Sequence, residues 1–139
     1  MYIIEREFNI AIGHCLSKHK GKCKNAHGHE IRILVSIKSD KLNFDDMVMD
    51  FGYLKEIGNM FIEQFDHSML LNKSEDKLIN VLKDKMNRVH EFDNDPTAEF
   101  LSKYLYDNIG IHILQNFPGV EMNYVKIYEN EKSNATYME

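Results

Sequence analysis

From Lys18 to Ile37 the chain reads KHKGKCKNAHGHEIRILVSI: a cysteine among four lysines, a His-Gly-His pair, and then a β-rich run. Two histidines two positions apart on an extended strand leave the same face, close enough to hold one ion together. His14 ends the preceding apolar run, where hairpin pairing brings it opposite His27 and His29. Three neutral imidazoles suit zinc, and three protein ligands leave a fourth position open for water or substrate. Gly28, between the pair, lets something approach the backbone closely. Cys23 stands between Lys22 and Lys24, with Lys18 and Lys20 nearby, and adjacent cations favour the thiolate form, a nucleophile or base. The same lysines would attract a polyphosphate, or form a solvated loop face.

Other metal chemistries compete for these residues. A cupin would want a glutamate a few positions after the pair, where Ile33 and Leu34 stand, so that reading fails. A structural zinc site built from Cys15, Cys23, His27 and His29 would be closed on all sides and non-catalytic, and it is the serious rival. Without it, Cys15 is a buried spectator. Further along, Asp66 beside His67 in FDHSMLLN offers a carboxylate that could orient an imidazole for proton transfer near neutral pH. Glu99 and Glu129 are acceptor-only groups able to hold a guanidine-like ring edge by paired hydrogen bonds.

These residues need a scaffold. Tyr2, Ile4, Phe8, Ile10 and Ile12 share one parity with acids and Asn9 on the other, the pattern of a half-buried strand, and HEIRILVSIKS completes an antiparallel hairpin with it. Asp50 is an N-cap for a helix over about 51–65, followed by FDHSMLLN as a loop. Residues 75–87 carry one apolar helical face, and RVHEF reads as a short strand. DNDPTAEF starts a helix, with proline in its first turn, that runs to about 115; VEMNYVKIYEN is a last strand, with Met122 and Tyr124 on one parity and Val125 and Ile127 on the other. The pattern predicts an α+β domain with helices on one face of an antiparallel sheet.

At 139 residues and 43% hydrophobic, the chain fits one domain over 1–139. A net charge of −5 argues against a nucleic-acid partner. Glu5, Arg6 and Glu7 interrupt any signal-like apolar stretch, no window is long enough to span a membrane, and two cysteines are too few for a disulfide framework; a cytoplasmic protein with free thiols is expected.

Taken in order, FNIAIGH, KCKNAHGH, MVMDFGYLK, FDHSMLLN, DPTAEFL and VKIYEN cover nearly the whole chain and resemble the 6-pyruvoyltetrahydropterin synthase and 6-carboxytetrahydropterin synthase family. The resemblance implies the tunnelling fold (T-fold), with two main helices on an antiparallel sheet. It also implies subunits that form a barrel-like trimer, trimers stacked into a homohexamer, and sites at subunit interfaces. A zinc enzyme acting on 7,8-dihydroneopterin triphosphate is implied too. Position by position, His14, His27 and His29 match the zinc ligands, Cys23 the catalytic thiol, Asp66 and His67 the remaining acid/base members, and Glu129 the pterin anchor. Thr97 and Glu99 fall in the block that lines the pterin pocket.

Three residues separate Cys23 from His-Gly-His, which resembles the carboxy-forming branch of the queuosine pathway, a carbon–carbon lyase releasing acetaldehyde and triphosphate. The pyruvoyl-forming synthase and a non-catalytic zinc-stabilised binding module are the alternatives. Asn130 and Ala98 depart from the family pattern, and the segment from Lys73 to Asp95 is long for the family and expected to be peripheral.

Overall fold

Two long strands are the spine of the protein. In the computed structural model, which describes residues 1–139, β1 (Tyr2–His14) and β2 (His27–Ser39) pair antiparallel along their whole length, from Tyr2 opposite Ser39 to His14 opposite His27. The alternation read from the sequence sets this register: Phe8 and Ile12 of β1 and Ile31, Ile33, Val35 and Ile37 of β2 are all buried on one side. Gly28 faces β1 closely: a Cβ there would lie 2.9 Å from the Ile12 carbonyl oxygen. What approaches this glycine is the partner strand itself.

After β2 the chain turns into α1 (Phe51–Ile62), capped by Asp50, whose carboxylate accepts from Gly52 N at 2.6 Å. The helix expected to reach residue 65 tightens after Ile62 into a 3-10 turn over Glu63–Phe65. FDHSMLLN, expected to be a loop, holds β3 (Ser68–Asn72), which joins β1 in parallel through Ile12 opposite Ser68. α2 (Asp76–Asp84) and β4 (Val89–Phe92) follow, and β4 lies parallel to β3. Parallel neighbours need a crossover, which α2 supplies. The sheet is therefore mixed rather than purely antiparallel.

The second main helix, α3 (Ala98–Asn116), begins at Thr97, whose Oγ1 accepts from Phe100 N at 3.2 Å. Pro96 thus precedes the cap instead of sitting in the first turn. β5 (Glu121–Asn130) pairs with β2, and β6 (Ser133–Tyr137), a polar edge strand with no apolar run to announce it, pairs with β5. The full order is β4-β3-β1-β2-β5-β6. A bulge where Ser36 and Ile37 meet Tyr124 and Met122 leaves Asn123 unpaired, so Met122, Val125 and Ile127 all face the core despite their opposite parities.

Leu54 and Ile57 of α1 and Leu101, Leu105, Ile109 and Ile113 of α3 close over the inward residues of β1, β2 and β5 in one apolar cluster. Each such aliphatic side chain contributes roughly 1.5–3 kcal/mol when fully buried. A Cβ at Gly58 would lie 2.0 Å from Phe8 Cζ, so α1 rests directly on that ring. α2 packs elsewhere: Ile79 meets Cys15 and Leu71, whereas Leu70 belongs to the main core. Alternation along β3 therefore puts α2 on the face opposite the two main helices.

Candidate active site

Along the inward faces of three strands the side chains change from hydrocarbon to ligand at the same end of the sheet. β1 runs Phe8, Ile10, Ile12, His14; β2, read backwards, runs Ile33, Ile31, His29, His27; β5 runs Val125, Ile127, Glu129. The core stops there and a polar cluster begins. His14 is buried at 2% exposure, and the ring centroids of His14, His27 and His29 lie 4.6 to 5.1 Å apart. One ligand atom from each falls within 4.8 Å of the others.

Backbone carbonyls fix which nitrogen two of the rings offer. His14 Nδ1 donates to Pro96 O at 2.9 Å and His27 Nδ1 to Asn25 O at 2.6 Å, so each neutral ring presents its Nε2 lone pair inward. Those two Nε2 atoms stand 3.1 Å apart. That spacing is near the roughly 3.3 Å spanned by two tetrahedral Zn–N bonds of about 2.0–2.1 Å. His29 Nε2 is buried without a hydrogen-bond partner; Glu129 Oε1, 3.5 Å away, is too poorly placed to satisfy it. Convergent lone pairs and an orphaned buried nitrogen are what a divalent cation would relieve, so the residues fit a metal. Burial, opposed by the Pro96 carbonyl and aided by His27 and His29, holds the His14 imidazole below its ordinary pKa, and this lowering keeps the ring neutral and able to ligate.

Neither thiol joins the group. Cys15 points to the opposite face, into the small cluster with Leu71 and Ile79, where burial first and then the Glu75 and Asp95 carboxylates push its pKa up. This overturns the closed Cys15, Cys23, His27, His29 arrangement. Cys23 is half-buried in a single 3-10 turn, Lys22–Lys24, between the two histidine-bearing strands, and its carbonyl accepts from Leu16 N at 2.9 Å. The four surrounding lysines are exposed.

Asp66 and His67 form a separate corner. His67 Nδ1 is 3.0 Å from Asp66 Oδ1, and the pair docks on β1 as a strand would: Ala11 N donates to Asp66 Oδ1 at 2.9 Å, and His67 N donates to Ala11 O at 2.7 Å. His67 adopts a left-handed φ of 53°, and its side chain is 79% exposed. The Ala11 N–H, together with His67, holds the Asp66 carboxyl below the usual range against a smaller cost of burial. Since β3 and β2 flank β1 on opposite sides, the corner and His29 are two strand spacings apart, about 10 Å. Within one chain, His67 therefore stands apart from the imidazole cluster. Glu129 lies beside His29 but outside the group one ion would join. Thr97 is the α3 cap and Glu99 is exposed in that helix's first turn.

The family model described as 6-pyruvoyl tetrahydropterin synthase matches residues 3–139. The chain belongs to this family. Proteins named 6-carboxy-5,6,7,8-tetrahydropterin synthase from Rickettsia conorii and Aquifex aeolicus are 29% and 33% identical to it, over 89% and 88% of this chain and 91% and 79% of theirs. An uncharacterized protein from Wolinella succinogenes superposes with a TM-score of 0.84 at 21% identity, covering 99% of this chain and 97% of that one. The 6-pyruvoyl tetrahydropterin synthase of Caenorhabditis elegans does so with a TM-score of 0.72, also at 21% identity, covering 99% and 95%. These structures establish the T-fold of a 6-pyruvoyl tetrahydropterin synthase family member.

Two groups beside this site are marked by neither residue type nor spacing in the sequence. The Pro96 carbonyl, which orients His14, carries no side-chain signal at all. Asp95 was legible only as part of a helix start, yet its carboxylate accepts from Ser17 Oγ, from Lys18 N at 2.9 Å and from Asn72 Nδ2 at 2.8 Å.

Proposed function

We propose that this family member is a zinc-dependent 6-carboxy-5,6,7,8-tetrahydropterin synthase. It would convert 7,8-dihydroneopterin triphosphate to 6-carboxy-5,6,7,8-tetrahydropterin with release of acetaldehyde and triphosphate, in the pathway to queuosine. The observation that carries the reading is the trio of imidazoles, two with carbonyl-fixed tautomers and the third with an orphaned nitrogen, in a chain whose curated relatives bear that name. His14, His27 and His29 would hold the ion, which when bound supplies Lewis acidity to the side-chain hydroxyls of the substrate.

The chain's own groups do the rest. Cys23, in its lysine-flanked turn, serves as the base for a carbon-bound proton of the substrate side chain. His67, oriented by Asp66, transfers the second proton. Glu129 accepts the paired N–H groups of the pterin's guanidine-like edge, with Thr97 and Glu99 bordering the pocket. The exposed His67, about two strand spacings from His29, is consistent with a homo-oligomer, trimer or hexamer, in which one subunit's corner completes its neighbour's site. No helix is long and apolar enough to cross a membrane, which is consistent with a cytoplasmic enzyme.

Incubating the zinc-loaded protein with 7,8-dihydroneopterin triphosphate and resolving the products by mass tests the proposal. The 6-carboxy product together with acetaldehyde is expected. A product retaining the three-carbon side chain would identify a pyruvoyl-forming synthase instead, and absence of turnover would leave a metal-stabilised binding module.

A further inference from the structure

The loop that carries Cys23 is tethered to the rest of the molecule at very few points. Most hydrogen bonds of residues 16–26 close on the loop itself or pass to His27: Leu16 N to Cys23 O, His19 N to Leu16 O, Lys24 N to Gly21 O, Asn25 N to Lys22 O, Gly21 N to His19 Nδ1, and His27 Nδ1 to Asn25 O. None of its lysines forms an ion pair. The contacts that leave it run to Asp95, through Ser17 Oγ and Lys18 N, with a longer Ser74 Oγ to Ser17 Oγ contact at 3.3 Å.

Asp95 is itself held. Asn72, at the end of β3, donates to the same carboxylate, and Thr97 N donates to the Asp95 carbonyl at 2.9 Å. The carboxylate thus gathers three donors from two separate parts of the chain. The next residue, Pro96, provides the carbonyl that orients His14. One dipeptide therefore sets the loop on one side and a ring of the imidazole cluster on the other.

We propose that Asp95 is a positioning residue for the Cys23 thiol, fixing the loop so that the sulfur keeps one place relative to His14, His27 and His29. Asp95 touches neither the sulfur nor the imidazoles. It acts through Ser17 and Lys18, whose neighbour Leu16 bonds the Cys23 carbonyl. The segment from Lys73 to Asp95 is then not peripheral, because its last residue anchors this loop. The catalytic arm of the test rests on the proposed function; the alkylation arm does not.

The test compares Asp95→Ala, Asp95→Asn and Ser17→Ala in the zinc-loaded protein, reading steady-state kinetics, bound zinc, the thermal midpoint and the rate at which iodoacetamide labels Cys23. For Asp95→Ala we expect kcat to fall by ~10²-fold with KM within about threefold, the size of effect a misplacement near 1 Å produces. Zinc content should hold, and Cys23 should label at least ~5-fold faster as the loop opens its half-buried thiol. Asp95→Asn keeps one acceptor oxygen and should recover about tenfold of the lost kcat, while Ser17→Ala should move both readouts in the same direction by a few-fold. Unchanged kcat and labelling in Asp95→Ala would overturn the proposal, as would kcat, zinc and thermal midpoint falling together. Should Asp95→Ala not fold, wild-type labelling in Ser17→Ala overturns it alone. A wild-type protein without turnover would refute the proposed reaction, and the labelling rates would still decide the role of Asp95.

Discussion

The imidazole cluster and the Asp66–His67 corner are built in opposite ways. The cluster stands on the ends of two 13-residue strands paired along their full length, and its rings continue the packing of the hydrocarbon core. The corner stands on a turn before a 5-residue strand, with a left-handed backbone and an exposed ring. Rigid scaffolding suits a group that must hold several lone pairs at fixed separation. An exposed imidazole docked by one carboxylate suits a group whose other neighbours come from outside the chain.

The sharpest way to break this contrast is to remove one ring from each. His27→Ala should abolish stoichiometric zinc binding, read by metal analysis, and reduce turnover to background, because two imidazoles leave the ion too weakly held. His67→Asn should keep zinc bound and lose roughly 10²–10⁴-fold in kcat, since asparagine tolerates the left-handed backbone that His67 adopts but cannot relay a proton. Zinc loss in that variant would show that the two regions are one unit. Cys23→Ala should behave like His67→Asn in both readouts, with bound zinc intact and a kcat loss of similar order.

Smaller effects sharpen the contrast. Gly28→Ala forces a methyl against the Ile12 carbonyl, so it should cost about 1–3 kcal/mol of stability and weaken zinc, by chelator competition, on the order of tenfold, leaving the corner intact. The corner should instead reveal itself in acid. The folded-state pKa of Asp66 is depressed, so its contribution to stability is fully present above the unfolded carboxyl value and is lost as pH falls through the folded one. Thermal midpoints of wild type and Asp66→Asn should therefore converge as pH drops below about 4. Parallel curves across that range would remove the carboxylate from the account.

How much of this was legible beforehand varied with the kind of signal. The strands β1 and β2 announced themselves by alternation, and His-Gly-His on a strand was enough to place two rings on one face. β3 and β6 did not. β3 is five residues led by a polar corner, and its pairing partner is settled only when α1 returns the chain beside β1. β6 is a polar edge whose stability comes from pairing with β5 rather than from its own pattern. The mixed parity of Met122 and Val125 was visible, but its cause, a bulge at Asn123, depends on the partner strand.

By itself the sequence determined which groups could do chemistry, because residue type sets lone pairs, charge and acidity, and strand periodicity sets which of them share a face. Tertiary structure alone decided which of those groups meet. A backbone carbonyl at Pro96 chooses the tautomer of His14, a carboxylate at Asp95 anchors a loop 77 residues away, and strand order keeps His67 apart from the rings it resembles. Such relations arise from contacts between distant segments, whose free energy is realised only once the core has brought those segments together.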